Sequence, residues 1–107
     1  MSKRLKLHKM LCEILSCPEK GPDNRVYYQP PSNIKMIYPA IVYSLSDMDN
    51  RYANDGVYLF IRKYTVTIID PNPDSELVDK VAALQNVNYD RTYTKDNLNH
   101  FVFEIYV

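Results

Sequence analysis

The chain has 107 residues, and its 13 basic residues balance its 13 acidic residues. A chain without net charge has no general attraction to nucleic acid or to anionic membranes, because those surfaces bind basic proteins. No apolar run approaches the roughly 20 residues of a membrane-spanning helix, and no signal-like segment is visible at the N-terminus. We therefore expect a single domain over residues 1–107, cytosolic when made, with no membrane partner and no specific nucleic acid.

The first expected element is an amphipathic helix over residues 3–16. Charged residues occupy its other faces, and Pro18, Gly21 and Pro22 prevent it from continuing. Its apolar positions, which recur at helical spacing, are Leu7, Met10, Leu11, Ile14 and Leu15.

Two strands are expected next, over residues 25–29 and 36–44, because both segments are rich in Tyr, Ile or Val. Pro39 cannot donate a hydrogen bond to a sheet, so either it lies at an edge or bulge or the second strand begins after it. Residues 46–56 are polar, lack periodicity and end in an Asp-Gly pair, which predicts a long loop.

The strongest strand prediction covers residues 57–70, where apolar side chains alternate with Lys63, Thr65 and Thr67. The residues expected on its core face are Tyr58, Phe60, Tyr64, Val66 and Ile68. A second helix is expected over residues 75–85, with Asp74 or Ser75 as its N-cap. Its apolar stripe consists of Leu77, Val78, Val81 and Leu84.

The last two strands are expected over residues 87–93 and 100–107, with a turn over residues 94–99 between them. The short links between most strands favour antiparallel pairing. The predicted fold class is therefore α+β: a single antiparallel β-sheet with two helices packed on it, in the order α-β-β-β-α-β-β.

Motifs for catalysis and for cofactors are missing from the sequence. The chain has two glycines, too few for a glycine-rich phosphate loop. A zinc site would need further Cys or His ligands at short spacing from Cys12 and Cys17, but the two histidines, His8 and His100, lie at opposite ends of the chain, which favours free thiols. His100 could pair with Asp90 or Asp96 as an acid/base group, but no nucleophile accompanies it. We expect no enzyme activity, no catalytic residue, no cofactor and no metal.

The segment from Asp47 to Arg51 begins like a calcium-binding loop, with acidic residues at the first and third positions. Arg51 then stands where a third oxygen ligand is needed, and Tyr52 stands where the sharp turn needs glycine. A solvated acidic loop is the better interpretation.

Ten tyrosines are present, with no Trp and three Phe, and this excess is more informative than any motif. A tyrosine ring can be buried while its hydroxyl tolerates water, so tyrosine suits surfaces that become protein interfaces. Strand preference accounts for some of the ten, but less well for the adjacent Tyr27 and Tyr28 or for Tyr52 in a polar segment. The expected interface residues are Tyr27, Tyr28, Asp47, Asp49, Arg51, Tyr52 and Asn54.

Several segments carry a family resemblance over nearly the whole chain. They are residues 26–31 (VYYQPP), 38–43 (YPAIVY), 52–54 (YAN), 64–75 (ending in IDPNPDS), 90–91 (DR) and 96–100 (DNLNH). Together they resemble the tail-terminator and tail-completion (head-tail joining) proteins of tailed bacteriophages. Residues 17–24 have no counterpart in that resemblance.

The resemblance implies a virion protein that forms a hexameric ring at the head-proximal end of the tail tube. Such a ring stops tube growth and contacts the tube protein on one side and a neck or head-closure protein on the other. We expect residues 25–32 and 47–56 to contact neighbouring subunits or the tube. The alternatives are a head-closure or adaptor protein of the neck and, from a different class, a small enzyme or nucleic-acid-binding regulator.

Overall fold

The computed structural model describes residues 3–18, 21, 24–30, 38–52, 58–84 and 86–106, with backbone alone at residues 3, 47–52 and 58–61. It has mixed α+β content, and the predicted order of elements is confirmed. The elements are α1 (Lys3–Leu15), β1 (Val26–Tyr28), β2 (Ala40–Tyr52), β3 (Tyr58–Asp70), α2 (Glu76–Ala82), β4 (Val87–Lys95) and β5 (Leu98–Tyr106).

The five described strands form one sheet in the order β1-β2-β3-β5-β4. The prediction of a fully antiparallel sheet is wrong at one edge, because β1 pairs with β2 in parallel. The other three pairings are antiparallel. Parallel neighbours need a connection long enough to return the chain to the same end of the sheet. Residues 29–39 supply such a connection between β1 and β2, whereas the later strands are joined by tighter links or by α2.

One face of the sheet is covered by both helices and forms the hydrophobic core. Leu7, Leu11 and Leu15 of α1 are buried there, as is Val81 of α2, which confirms both predicted apolar stripes. The buried strand residues of this cluster are Val26, Ile41, Tyr43, Tyr64, Val66, Ile68, Phe101, Phe103 and Ile105. Of the core-face residues predicted on β3, Tyr64, Val66 and Ile68 are buried, and the side chains of Tyr58 and Phe60 lie outside the described part of the structure.

The helix ends follow from local hydrogen bonding. Ser75 is the N-cap of α2, since its hydroxyl accepts a hydrogen bond from the Leu77 amide at 3.2 Å. Helix α1 ends at Leu15, and the next residue, Ser16, has a φ of 55°, in the left-handed region. The Ser16 amide donates to the Glu13 carbonyl, and the Cys17 amide donates to the Cys12 carbonyl. These two hydrogen bonds form a Schellman motif.

Two predicted boundaries are wrong. The loop expected over residues 46–56 is instead strand as far as Tyr52, and residues 53–57 lie outside the described part of the chain. The turn expected over residues 94–99 contracts to Asp96 and Asn97, both with positive φ (54° and 63°). Asp and Asn tolerate this conformation, so a two-residue hairpin is possible without glycine. Strand β2 begins directly after Pro39, which confirms the second of the two alternatives given for that residue: the strand starts only after the proline.

Candidate protein interface

The outer half of the β2–β3 hairpin forms a two-stranded ribbon, which we define as Asp47–Tyr52 and Tyr58–Arg62. These two segments pair with each other residue by residue, from Met48 opposite Arg62 to Tyr52 opposite Tyr58. Within the described chain no third strand pairs with them. At about 3.3 Å per residue the ribbon extends roughly 20 Å, in a molecule of 51 × 29 × 25 Å.

The neighbouring strands stop where the ribbon begins. Strand β1 pairs with β2 as far as Tyr43, and the Leu45 amide then donates to the side-chain oxygen of Gln29 at 3.4 Å. A β-bulge follows at Ser46, whose hydroxyl donates to the Lys63 carbonyl at 2.9 Å. On the other side, β5 pairs with β3 only from Lys63 onward. Both outer edges of the ribbon are therefore unpaired in the described structure.

The ribbon contains four of the seven predicted interface residues: Asp47, Asp49, Arg51 and Tyr52. The register places the first three at alternate positions of β2, opposite Lys63, Ile61 and Leu59. An extended strand does not wrap around an ion as a calcium loop does. Asn54 lies outside the described residues.

Tyr27 and Tyr28 lie in β1 on opposite faces of the sheet, both half-buried. Tyr28 is on the helix-covered face, where the Arg4 guanidinium lies 4.6 Å from the centre of its ring. Its ring centre is also 4.8 Å from that of Tyr43. Contacts within the chain thus account for Tyr28, and Tyr27 lies on the opposite face of the sheet.

Tyr43 is the centre of this aromatic cluster and is fully buried. Its hydroxyl accepts a hydrogen bond from Arg4 at 3.3 Å and lies 2.9 Å from Nδ1 of His8. Burial raises the pKa of Tyr43, and the Arg4 hydrogen bond and charge partly offset that effect. Burial likewise raises the pKa of Tyr64, whose ring centre is 6.1 Å from that of Tyr43. The cluster fixes α1 to the sheet and is structural.

The far edge of the sheet carries aromatic and basic residues that the sequence did not single out. On β4, Tyr89 and Tyr93 are 59% and 41% exposed. The Tyr93 ring stacks on His100 of β5 with 4.6 Å between centres, and the Arg91 guanidinium lies 5.9 Å from the Tyr93 ring centre. Tyr93 and Arg91 alternate along a segment without Pro or Gly, a pattern that could have indicated an exposed edge strand.

His100 makes its described contacts within the β4–β5 hairpin. Its Nδ1 lies 3.1 Å from the Leu98 carbonyl, and its ring is stacked on Tyr93. In the described part of the chain no cluster of three or more His, Cys, Asp or Glu could hold a metal ion. The described helices are too short or too polar to cross a membrane. Cys12 is buried and Cys17 is half-buried.

Searches with the sequence found no matching protein-family model and no matching curated protein.

Proposed function

We propose that this chain is a bacteriophage virion protein that forms a ring, a hexamer by the family resemblance, at the head-proximal end of the tail tube. In this role it terminates tube growth and joins the tail to the neck. Its partners are other copies of the same chain, the tail tube protein and a neck or head-closure protein. The chain acts by surface contact and not by catalysis.

The observation that carries this proposal is the ribbon. A two-stranded hairpin is marginally stable in water unless a third strand or a packed face supports it. The ribbon has no third strand in the described chain, and unpaired backbone groups on both outer sides favour the addition of another strand. A protein partner that covers these edges would stabilise the ribbon, whereas a catalytic role would give it no such support.

The order of strands also suits a ring. Strands β1 and β4 are the two edges of the sheet, four strand spacings or about 19 Å apart. A subunit with different surfaces on opposite sides can make head-to-tail contacts, and such contacts close into a ring when the rotation between subunits allows it. Two identical surfaces meeting face to face would produce only a dimer.

Electron microscopy of tails assembled with and without this chain tests the proposal. Without it, we expect tubes of uncontrolled length that do not join heads, and supplying the wild-type chain should restore uniform tails. Complete particles with normal tails that contain none of this polypeptide would contradict the proposal.

Other outcomes of the same experiment would assign the alternatives. Tubes of normal length that fail to join heads would indicate a head-closure or adaptor protein. A DNA complex that weakens strongly with salt would indicate a nucleic-acid-binding regulator. Turnover of a small molecule that is lost in His100→Gln would indicate an enzyme.

A further inference from the structure

We infer that Cys12 and Cys17 form a reversible disulfide that closes the C-terminal end of α1, a redox-sensitive modification site. The inference does not depend on the proposed function, because it concerns the fold of the single chain. A reducing compartment keeps the pair as two thiols, and an oxidising one converts it to the disulfide.

The end of α1 brings the two cysteines together. On a continuous helix, side chains five residues apart differ in direction by roughly 140°. The helix ends before Cys17, however, and Ser16, with its φ of 55°, turns the chain back toward α1. In a Schellman motif the two residues joined by the outer hydrogen bond, here Cys17 and Cys12, commonly have side chains in contact.

The hydrogen bond between these two residues limits their separation. The Cys17 amide nitrogen lies 3.0 Å from the Cys12 carbonyl oxygen. With standard bond lengths, this contact holds the two Cα atoms within about 7 Å of each other, and the bond angles shorten that distance further. Disulfides join residues whose Cα atoms are about 4.4–6.8 Å apart. The backbone therefore allows the disulfide with little movement.

Asn24 shows independently where the Cys12 sulfur lies. Its side-chain nitrogen donates to Cys12 Sγ at 3.3 Å and to the Pro18 carbonyl at 2.7 Å. Pro18 directly follows Cys17 in the chain. A single amide group thus joins the Cys12 sulfur to the segment after the helix, so the sulfur points toward the part of the chain that carries Cys17.

Burial gives the two thiols different roles. Cys17 is half-buried, so a reagent can reach it, whereas Cys12 is 1% exposed. The Cys17 thiolate attacks one sulfur of a small-molecule disulfide and expels one thiol, which leaves a mixed disulfide. The Cys12 thiolate then attacks the Cys17 sulfur and expels the second thiol. The chain loses two protons and two electrons, and the reagent is reduced to two thiols.

Titration of the folded chain with mixtures of reduced and oxidised glutathione tests the inference. After an acid quench, mass spectrometry should show the loss of two hydrogens with no retained glutathione, and peptide mapping should join Cys12 to Cys17 within one chain. We expect the equilibrium constant for this disulfide to be about tenfold or more higher in the folded chain than in concentrated urea, because the fold holds the two cysteines together.

Two variants at the exposed Ser16 keep both cysteines and change only the turn. Ser16→Gly favours the left-handed conformation and should keep or raise the equilibrium constant. Ser16→Val should lower it about threefold or more, because a β-branched residue rarely adopts positive φ. Circular dichroism checks the fold of both. Cys17→Ser is the chemical control and should lose no hydrogens.

Three results with the wild-type chain would each overturn the inference: glutathione adducts on Cys17 that do not resolve, disulfides between two chains, or equal constants in the folded chain and in urea. Equal constants for folded Ser16→Gly and Ser16→Val would also overturn it, because the turn would then not bring the cysteines together. None of these results bears on the proposed function, which the microscopy of tails tests separately.

Discussion

The two halves of the β2–β3 hairpin share one continuous pairing but lie in different surroundings. In the inner half, Ala40–Leu45 and Tyr64–Ile69 are flanked by β1 and β5 and covered by helices on one face. In the outer half, the ribbon, the same two strands continue without a described neighbour. The inner half is stabilised by burial within its own chain, whereas the outer half is described only by the pairing of its two strands. This difference separates the residues that hold the fold from those available to a partner.

The largest expected effect comes from one substitution made in both halves of β3. Ile68 is fully buried in the core, so Ile68→Ala should lower the free energy of unfolding by about 2–5 kcal/mol. Ile61 lies in the ribbon, and Ile61→Ala should cost less than about 1 kcal/mol in the free subunit. Urea unfolding of both variants measures the difference. Equal losses would mean that the ribbon is packed as tightly as the core.

A smaller effect is expected from the hydroxyl at the centre of the aromatic cluster. Tyr43→Phe removes the group that accepts from Arg4 and contacts His8, and should cost about 1–2 kcal/mol. Tyr93→Phe is the matched control, since that ring is exposed on β4 and its substitution should cost less than about 0.5 kcal/mol. Thermal unfolding at neutral pH compares the two. A similar loss of stability in both variants would mean that the Tyr43 hydroxyl contributes no more to the fold than an exposed one.

The same pair of variants should differ in alkaline solution. Because burial raises the pKa of Tyr43 above its ordinary value of 10.0, the fold favours the neutral phenol. This contribution to stability is complete below pH 10.0 and is lost as the pH rises through the higher folded-state pKa. The wild-type chain and Tyr93→Phe should therefore lose stability more steeply above pH 10.0 than Tyr43→Phe. Parallel curves for all three would contradict this assignment.

A change of about 1 kcal/mol is expected at the start of α2. Ser75→Ala removes the oxygen that accepts from the Leu77 amide. Asp74→Ala, one residue earlier and exposed, should cost less than about 0.5 kcal/mol. Chemical denaturation distinguishes them, and a larger loss in Asp74→Ala would identify that residue as the effective cap.

The smallest effect on stability belongs to the ribbon and should have the largest effect on assembly. Arg51→Glu with Tyr52→Ala should change the unfolding free energy of the free subunit by less than about 0.5 kcal/mol, yet block ring formation or capping of the tube. Circular dichroism checks the fold, and microscopy of tails checks assembly. Normal capped tails from this double variant would remove Arg51 and Tyr52 from the interface.

Most helices and strands outside the ribbon could be predicted from the sequence, because their apolar residues recur with strong periodicity. Helix α1 and strand β3 were located to within about a residue at each end, since their apolar residues follow periods of 3.6 and 2. The Ser75 cap and the start of β2 after Pro39 follow from the chemistry of single residues. The turn at Asp96 and Asn97 was placed too broadly, because polar strand ends resemble loops in sequence.

The ribbon and the exposed face of β4 were decided by tertiary structure. Residues 46–52 have no strand pattern of their own, and β2 continues through them because Tyr58–Lys63 pairs alongside. Tyr28 had the composition of an interface residue, but the fold placed it against Arg4 and Tyr43.

The sequence by itself therefore determined the class of the fold, the identity of most core residues and the lack of familiar catalytic motifs. Tertiary structure decided the parallel pairing of β1, the order of strands and the edges left unpaired. The physical reason is that burial periodicity is a local property of the chain, whereas strand neighbours depend on contacts between residues far apart in sequence.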